Sequence, residues 1–182
     1  VGLDTLVHVA NGLYENCPND EAHELFKLPA FINHMMENKW LGSKTKQGFY
    51  KKVDKDILSL DLETLEYRSA KKASFQTLEL TKTIDKVVDR FKVLVKGKDK
   101  ASEFYRKSFA GLFTYVSNRV PEITDDLYKI DDAMKAGFGW EHGPFQIWDA
   151  IGVEKALEFM NEIGEKPAAW VQEMLDSGNK SF

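Results

Sequence analysis

The feature that most constrains this chain is that part of it occurs twice. Shifted by 150 residues against itself, the sequence pairs Val1-Gly2-Leu3-Asp4 with Ile151-Gly152-Val153-Glu154 without a gap. The same shift pairs Val7 with Leu157, Val9 with Phe159, Asn11 with Asn161, Leu13 with Ile163 and Glu15 with Glu165. After the spacing shortens, Pro29-Ala30 pairs with Pro167-Ala168, and Ile32, Met35 and Met36 pair with Val171, Met174 and Leu175. A fixed internal period points to a structural unit built more than once. Each copy reads as helix, break, proline, helix. The stretch from about 101 to 150 has no counterpart before copy one, and the run from 42 to 50 has none after copy two. The expectation is one and a half units of a larger helical protein, with each end of the chain inside a unit.

The spacing of apolar residues assigns the elements. Leu3, Leu6, Val7, Ala10, Leu13 and Tyr14 recur at threes and fours, which predicts an amphipathic helix. Asn16 to Asp20 is a turn, and Pro29 can open a second helix carrying Phe31, Ile32, Met35 and Met36. The glycine-bounded run GSKTKQGFY (42–50) reads as a structured loop ending in an aromatic anchor. Alternation over 57–67 predicts a short β-hairpin, and the apolar positions from Leu78 to Val95 predict one or two helices. The segment 101–120 is apolar around most of its circumference and predicts a buried helix. Short helices follow at 130–138 and from Pro144 through Trp148, then at Val153–Ile163 and Pro167–Leu175. The fold class is all-α apart from the hairpin. The expected divisions are 1–52, the closing half of a first helical domain; 53–98, a linker with hairpin and helix; and 99–182, a second helical domain.

Composition narrows the function classes. Twenty-nine acidic against 25 basic side chains, interleaved along 182 residues, give a net charge of −4, which disfavours nucleic acid as a partner. No run approaches the roughly 20 apolar residues that span a bilayer, and no basic-apolar export sequence opens the chain. A single cysteine, Cys17, fits a reducing compartment, so the expected localisation is cytoplasmic. Cys17 has no basic neighbour to activate it as a nucleophile.

Three runs carry a resemblance: VGLDTLVHV (1–9), GSKTKQGFYKK (42–52) and IDDAMKAGFGWEHGPFQIWDAIG (130–152). In this order they are similar to the C-terminal helical domain of the 3-hydroxyacyl-CoA dehydrogenases, in the tandem form found in multifunctional fatty-acid β-oxidation proteins. The resemblance implies tandem helical repeats of the 6-phosphogluconate dehydrogenase C-terminal-like type. It also implies a parent enzyme that oxidises 3-hydroxyacyl-CoA to 3-oxoacyl-CoA with NAD and is in some members fused to an enoyl-CoA hydratase. In that family NAD and the catalytic His–Glu pair belong to an N-terminal Rossmann domain. This chain has no G-x-G-x-x-G loop, so no cofactor and no catalytic residue are expected in it. The expected partners are acyl-CoA, the Rossmann domain of the parent and a homodimer mate.

Among the histidines, His8, His23 and His34 read as surface or packing residues. His142 stands apart, because His142-Gly143-Pro144-Phe145 forms a glycine-flanked turn of the kind that lets backbone approach a ligand. These four residues are the expected substrate-proximal set; the plainer reading is that Glu141-His142 caps the next helix. Counting back from Ile130-Asp131 to the family's substrate-polarising Asn reaches Arg106 and Lys107 instead, and Asn118 lies too close to the motif. Copy two is therefore expected to be structural. Trp140, Phe145 and Trp148 are candidates to line an acyl tunnel or simply to pack. A non-enzymatic helical interaction module is the rival reading. A β-hydroxyacid dehydrogenase without a second copy is another.

Overall fold

The computed structural model describes residues 2–182; Val1, the first position of the repeat, lies outside the described residues. The chain forms two compact units, Val1–Lys72 and Ala73–Phe182.

The first unit contains α1 (Leu3–Asn16), a 3-10 turn at His23–Phe26 and α2 (Ala30–Glu37), then a second 3-10 turn at Ser43–Thr45. Three strands follow: β1 (Tyr50–Val53), β2 (Asp56–Leu60) and β3 (Tyr67–Ser69). They form one antiparallel sheet in sequential order, with Tyr50 opposite Ser59 and Leu60 opposite Tyr67. The expected hairpin is thus present as β2–β3, with β1 added on the other edge. Its lysines hide β1 from a hydrophobicity pattern, and pairing with β2 supplies the hydrogen bonds that hold it. The core is small: Leu3, Ile32, Met35 and Leu60 are buried, with Val7, Phe31, Trp40 and Tyr67 packed around them.

The second unit is helical. It comprises α3 (Gln76–Thr81), α4 (Val87–Lys96), α5 (Lys100–Asn118), α6 (Leu127–Phe138), α7 (Pro144–Ile151), α8 (Val153–Ile163) and α9 (Ala169–Asp176). Its core is far larger and includes Phe109, Phe113, Trp148, Phe159 and Met160. The buried positions of α5 fall at Ala101, Ser102, Phe109, Ala110, Phe113, Val116 and Ser117. Phe104 lies off that stripe and is exposed, so α5 is buried along one side and not around its circumference. Residues 53–98, read as a linker, are shared between the units. Leu60 and Tyr67 belong to the first core and Val95 to the second, which is where apolar burial draws the boundary.

The repeat is visible in backbone detail. α2 and α9 are both eight residues long. The amides of Asn38, Lys39 and Trp40 donate to the carbonyls of His34, Met36 and Met35. Those of Ser177, Gly178 and Asn179 donate to Glu173, Leu175 and Met174, the same pattern 139 residues later. The residue that closes each helix is left-handed, Lys39 at φ 57° and Gly178 at φ 93°, the conformation that turns a chain out of a helix. In this register Pro29 corresponds to Ala168, each starting its helix as N-cap. The proline pairing read from sequence is therefore one residue out. α1 and α8 each have a glycine N-cap, but Gly2 is extended at φ −84° and Gly152 has φ 100°, and α8 stops at left-handed Gly164 while α1 runs on to Asn16.

Burial separates the two copies. Ala156 and Phe159 of α8 are 0% and 5% exposed, in a core that α5 covers, whereas their counterparts Leu6 and Val9 on α1 are each 52% exposed. The difference in packing sets the expected response to substitution. Leu6→Ala should change stability by less than about 1 kcal/mol, and Ala156→Leu, which overfills a closed site, should cost about 1–3 kcal/mol. Denaturant unfolding of both variants checks this, and a harmless Ala156→Leu would contradict the packing described.

Candidate functional site

The motif from 130 to 152 is a helix junction. A helix start leaves its first amides without intrahelical partners, and Gly143, the N-cap of α7, has no side chain with which to satisfy them. Asp131 of α6 does so from outside the helix, accepting from Phe145 N at 2.9 Å and Gln146 N at 3.2 Å. Gln146 Oε1 in turn accepts from Gly143 N. Position 143 must be glycine for this: a Cβ there would lie 2.3 Å from Asp131 Cα. Neither Glu141 nor His142 provides the cap. His142 Nε2 lies 3.8 Å from Glu141 Oε1 and the imidazole meets the Phe91 ring edge-on at 6.1 Å.

Of the four residues singled out in sequence, Gly143, Pro144 and Phe145 are buried and His142 is partly exposed. Phe145 and Trp148 belong to the packed core. Trp148 stacks on Phe113 at 4.5 Å between ring centres, and Phe182 packs edge-on against both Phe145 and Trp148. These rings fill one another's space, so packing and not a tunnel is their role here; Trp140 is partly buried at the margin of the same core.

Arg106, found where counting sought an Asn, closes a helix end. Its Nη1 donates to the carbonyls of Val95 and Gly97, which end α4, and to Ser102 Oγ. Asp99 caps two helices at once, accepting from Ser102 N of α5 and Thr77 N of α3. Those two backbone hydrogen bonds, Thr77's first, hold its carboxyl below the ordinary value. Asn118 is the last residue of α5. His23 stacks on Tyr14 and His34 meets Trp40 edge-on, while His8 is exposed on α1. Among the described residues no cluster of His, Cys, Asp or Glu is placed to hold a metal.

Concave surface occurs in both units, in the second between α3 and the end of α4, lined by Gln76, Thr77, Leu80 and Lys96, and in the first around a turn. Between α2 and β1 the chain folds back on itself: Gly42 N donates to Gln47 O and Gln47 N to Gly42 O. Thr45 Oγ1 accepts from Leu41 N at 3.0 Å and donates to Gln47 O. Gly42 has φ 107°, and a Cβ on Gly48 would lie 2.8 Å from Gly42 Cα, so both glycines are required for the close approach. Residues Gly42, Gly48 and Phe49 of this turn line both a cavity of 340 Å³ and a cleft of 650 Å³. Sequence reading identified the loop as structured but gave it no site; the available signal was two glycines six residues apart enclosing two lysines.

Residues 107–181 match the family of 3-hydroxyacyl-CoA dehydrogenase C-terminal domains. Over its whole length the chain is 42% identical to a protein of Bacillus subtilis (strain 168) named as a probable 3-hydroxyacyl-CoA dehydrogenase, covering 23% of that relative. Two Rickettsia proteins named as fatty acid oxidation complex trifunctional enzymes are also similar. The Rickettsia felis protein is 29% identical over 81% of this chain and 20% of its own length. The Rickettsia prowazekii protein is 23% identical over the same shares. The chain thus spans about a fifth to a quarter of these curated relatives. No solved structure matches it significantly.

Burial raises the pKa of Asp131, against the lowering effect of the two amides it accepts from. Asp149, which accepts from Phe182 N, is raised by burial and also by the charge of Asp131. A carboxyl raised in the folded chain binds its proton more tightly there than in the unfolded chain. The stability it contributes therefore falls as pH rises from the ordinary carboxylate value through the raised one. Asp131→Asn keeps one acceptor and removes the titration. The expected result is that the stability of this variant relative to wild type improves from about pH 4 to about pH 7. Denaturant titrations at both pH values check it, and a difference that stays constant or worsens with pH would contradict the assignment.

Proposed function

We infer that this chain, whose residues 107–181 belong to the 3-hydroxyacyl-CoA dehydrogenase C-terminal domain family, supplies the helical, substrate-side part of an NAD-dependent enzyme. The reaction is oxidation of a 3-hydroxyacyl-CoA to the 3-oxoacyl-CoA in fatty-acid β-oxidation. The observation that carries the reading is identity to a dehydrogenase-named relative along the entire chain, both units included. Two relatives named as trifunctional enzymes support a multifunctional parent, in which a fused hydratase is part of the proposal.

The chemistry is assigned to another part of that parent. The sheet among the described residues is three-stranded and antiparallel, whereas dinucleotides are held at the carboxyl ends of parallel strands by a glycine-rich turn. NAD and the proton-abstracting pair accordingly belong to the parent's dinucleotide-binding domain, and hydride transfer by this chain alone is not expected. What the chain contributes is a rigid helical wall and acyl-CoA contact, with homodimerisation as a further proposed role. No helix among the described residues is long and apolar enough to cross a membrane, and the proposed compartment is the cytoplasm.

Two assays test the reading together. With NAD and 3-hydroxybutyryl-CoA the purified chain should give no NADH above the blank, and turnover at an enzyme-like rate would overturn the division of labour. A chimera in which this chain replaces its matching segment in the Bacillus subtilis relative should keep dehydrogenase activity within about tenfold of the unmodified relative, or about 1.4 kcal/mol in the barrier. A folded chimera that is inactive beside an active relative would overturn the function.

A further inference from the structure

By letters alone the second copy is followed by nothing like the run 42–50; by contacts it is followed by a shorter form of it. We infer that residues 179–182 are the closing strap of the second copy, the counterpart of 40–49 with the turn 42–47 left out. The strap is a lid: it locks the aromatic core of the second unit and opens ahead of the rest of that unit.

Two contacts recur between the copies. In the register set by the ends of α2 and α9, Phe31 corresponds to Trp170. Phe31 meets Phe49 edge-on at 6.3 Å, and Trp170 meets Phe182 edge-on at 5.7 Å. Asp4, in the first turn of α1, pairs with Lys44, and its counterpart Glu154, in the first turn of α8, lies 3.8 Å from Lys180. The lysine comes from the turn in one copy and from the strap itself in the other. Lengths agree as well. Phe49 lies ten residues after left-handed Lys39 and Phe182 four after left-handed Gly178, a difference of six. Residues 42–47 are six in number, and their ends meet, because Gly42 and Gln47 exchange both backbone hydrogen bonds. Without that excursion the chain would pass from Leu41 to Gly48 and Phe49, as it passes from Lys180 to Ser181 and Phe182.

What the strap covers and how little holds it make it a lid. Residues 179–181 are exposed. Phe182 N donates to Asp149 Oδ1 at 3.0 Å, and the Phe182 ring lies 5.0 Å from those of Phe145 and Trp148. The Lys180–Glu154 pair is solvent-exposed on both sides and contributes little. A segment with so few buried contacts opens at a lower free energy than the helices beneath it, and Gly178, at φ 93°, stands at its base where a hinge would turn. Beneath the ring, Phe145 is 2% exposed and Trp148 is fully buried. The Trp148 indole Nε1 has no hydrogen-bond partner among the described residues. An unpaired buried donor opposes the closed state, and lifting Phe182 admits water to it. Closure therefore rests on the Phe182 ring, and the stack of Trp148 on Phe113 does not depend on the strap.

Hydrogen exchange of the whole chain, followed by NMR at the Trp148 indole N–H and at the amides of Phe109 to Phe113 in α5, tests the lid. The indole should be at least about tenfold less protected than those amides, because it exchanges through the open strap. Phe182→Ala should widen that gap by about a further tenfold, and Phe182→Leu, which keeps an apolar plug, should widen it less. If the alanine variant does not fold, the leucine variant supplies the comparison. An indole as protected as the α5 amides, or a gap that neither substitution changes, would overturn the lid. Deleting residues 42–47 tests the equivalence of the two straps. The shortened chain should keep its circular dichroism and melt within about 5 °C of the parent, and loss of the first unit's fold would overturn the equivalence.

Discussion

The carboxylate of Asp131, on a residue only 4% exposed, starts a helix to which it does not belong. α7 begins with a glycine that has no side chain and a proline that has no N–H, and its next two amides are directed to Asp131. Each of these residues depends on the others. Without the carboxylate two amides would be buried unpaired, at about 1–3 kcal/mol each; with any side chain at 143 the carboxylate could not approach. The junction fixes α7 on α6, and α7 in turn delivers Phe145 and Trp148 to the stack beneath α5. Arg106 of α5 closes the end of α4 in the same way, and Asp99, the N-cap of its own helix α5, also caps α3. In the second unit the starts of α3 and α7 and the end of α4 are thus closed by polar groups that lie outside those helices.

Apolar spacing made most helices legible before the structure, and the bounds of α8 are those the periodicity marks. It works there because a helix with one buried stripe writes its own period into the sequence. The same signal is blind to partners far along the chain. Asp131 lies fourteen residues before Phe145, so the GPF run read as a ligand-approaching turn when a buried cap is what demands its glycine. β1 was missed for a related reason, since YKKV has no alternation to reveal it and its strand character comes from β2. The aromatic run in α5 overstated burial, because the number of aromatics does not say which side they occupy, and Phe104 faces water.

The repeat was legible as letters and became more informative as geometry. The matching exits from α2 and α9, with a left-handed lysine in one and a glycine in the other, show one helix ending built twice. What differs is cover: α8 lies beneath α5, while the equivalent side of α1 is open among the described residues. The first copy is followed by the Gly42–Gly48 turn, which lines a cavity and a cleft. Among the described residues the packing thus divides the copies, with α8 covered and one side of α1 open.

Amide hydrogen exchange resolved by residue tests that division most directly, because protection reports the free energy of local opening. The account predicts that the amides of Ala156 to Met160 in α8 exchange only with global unfolding of their unit. Those of Leu6 to Ala10 in α1 should exchange at least about a hundredfold faster, a difference of about 2.7 kcal/mol. Equal protection of the two helices would contradict it.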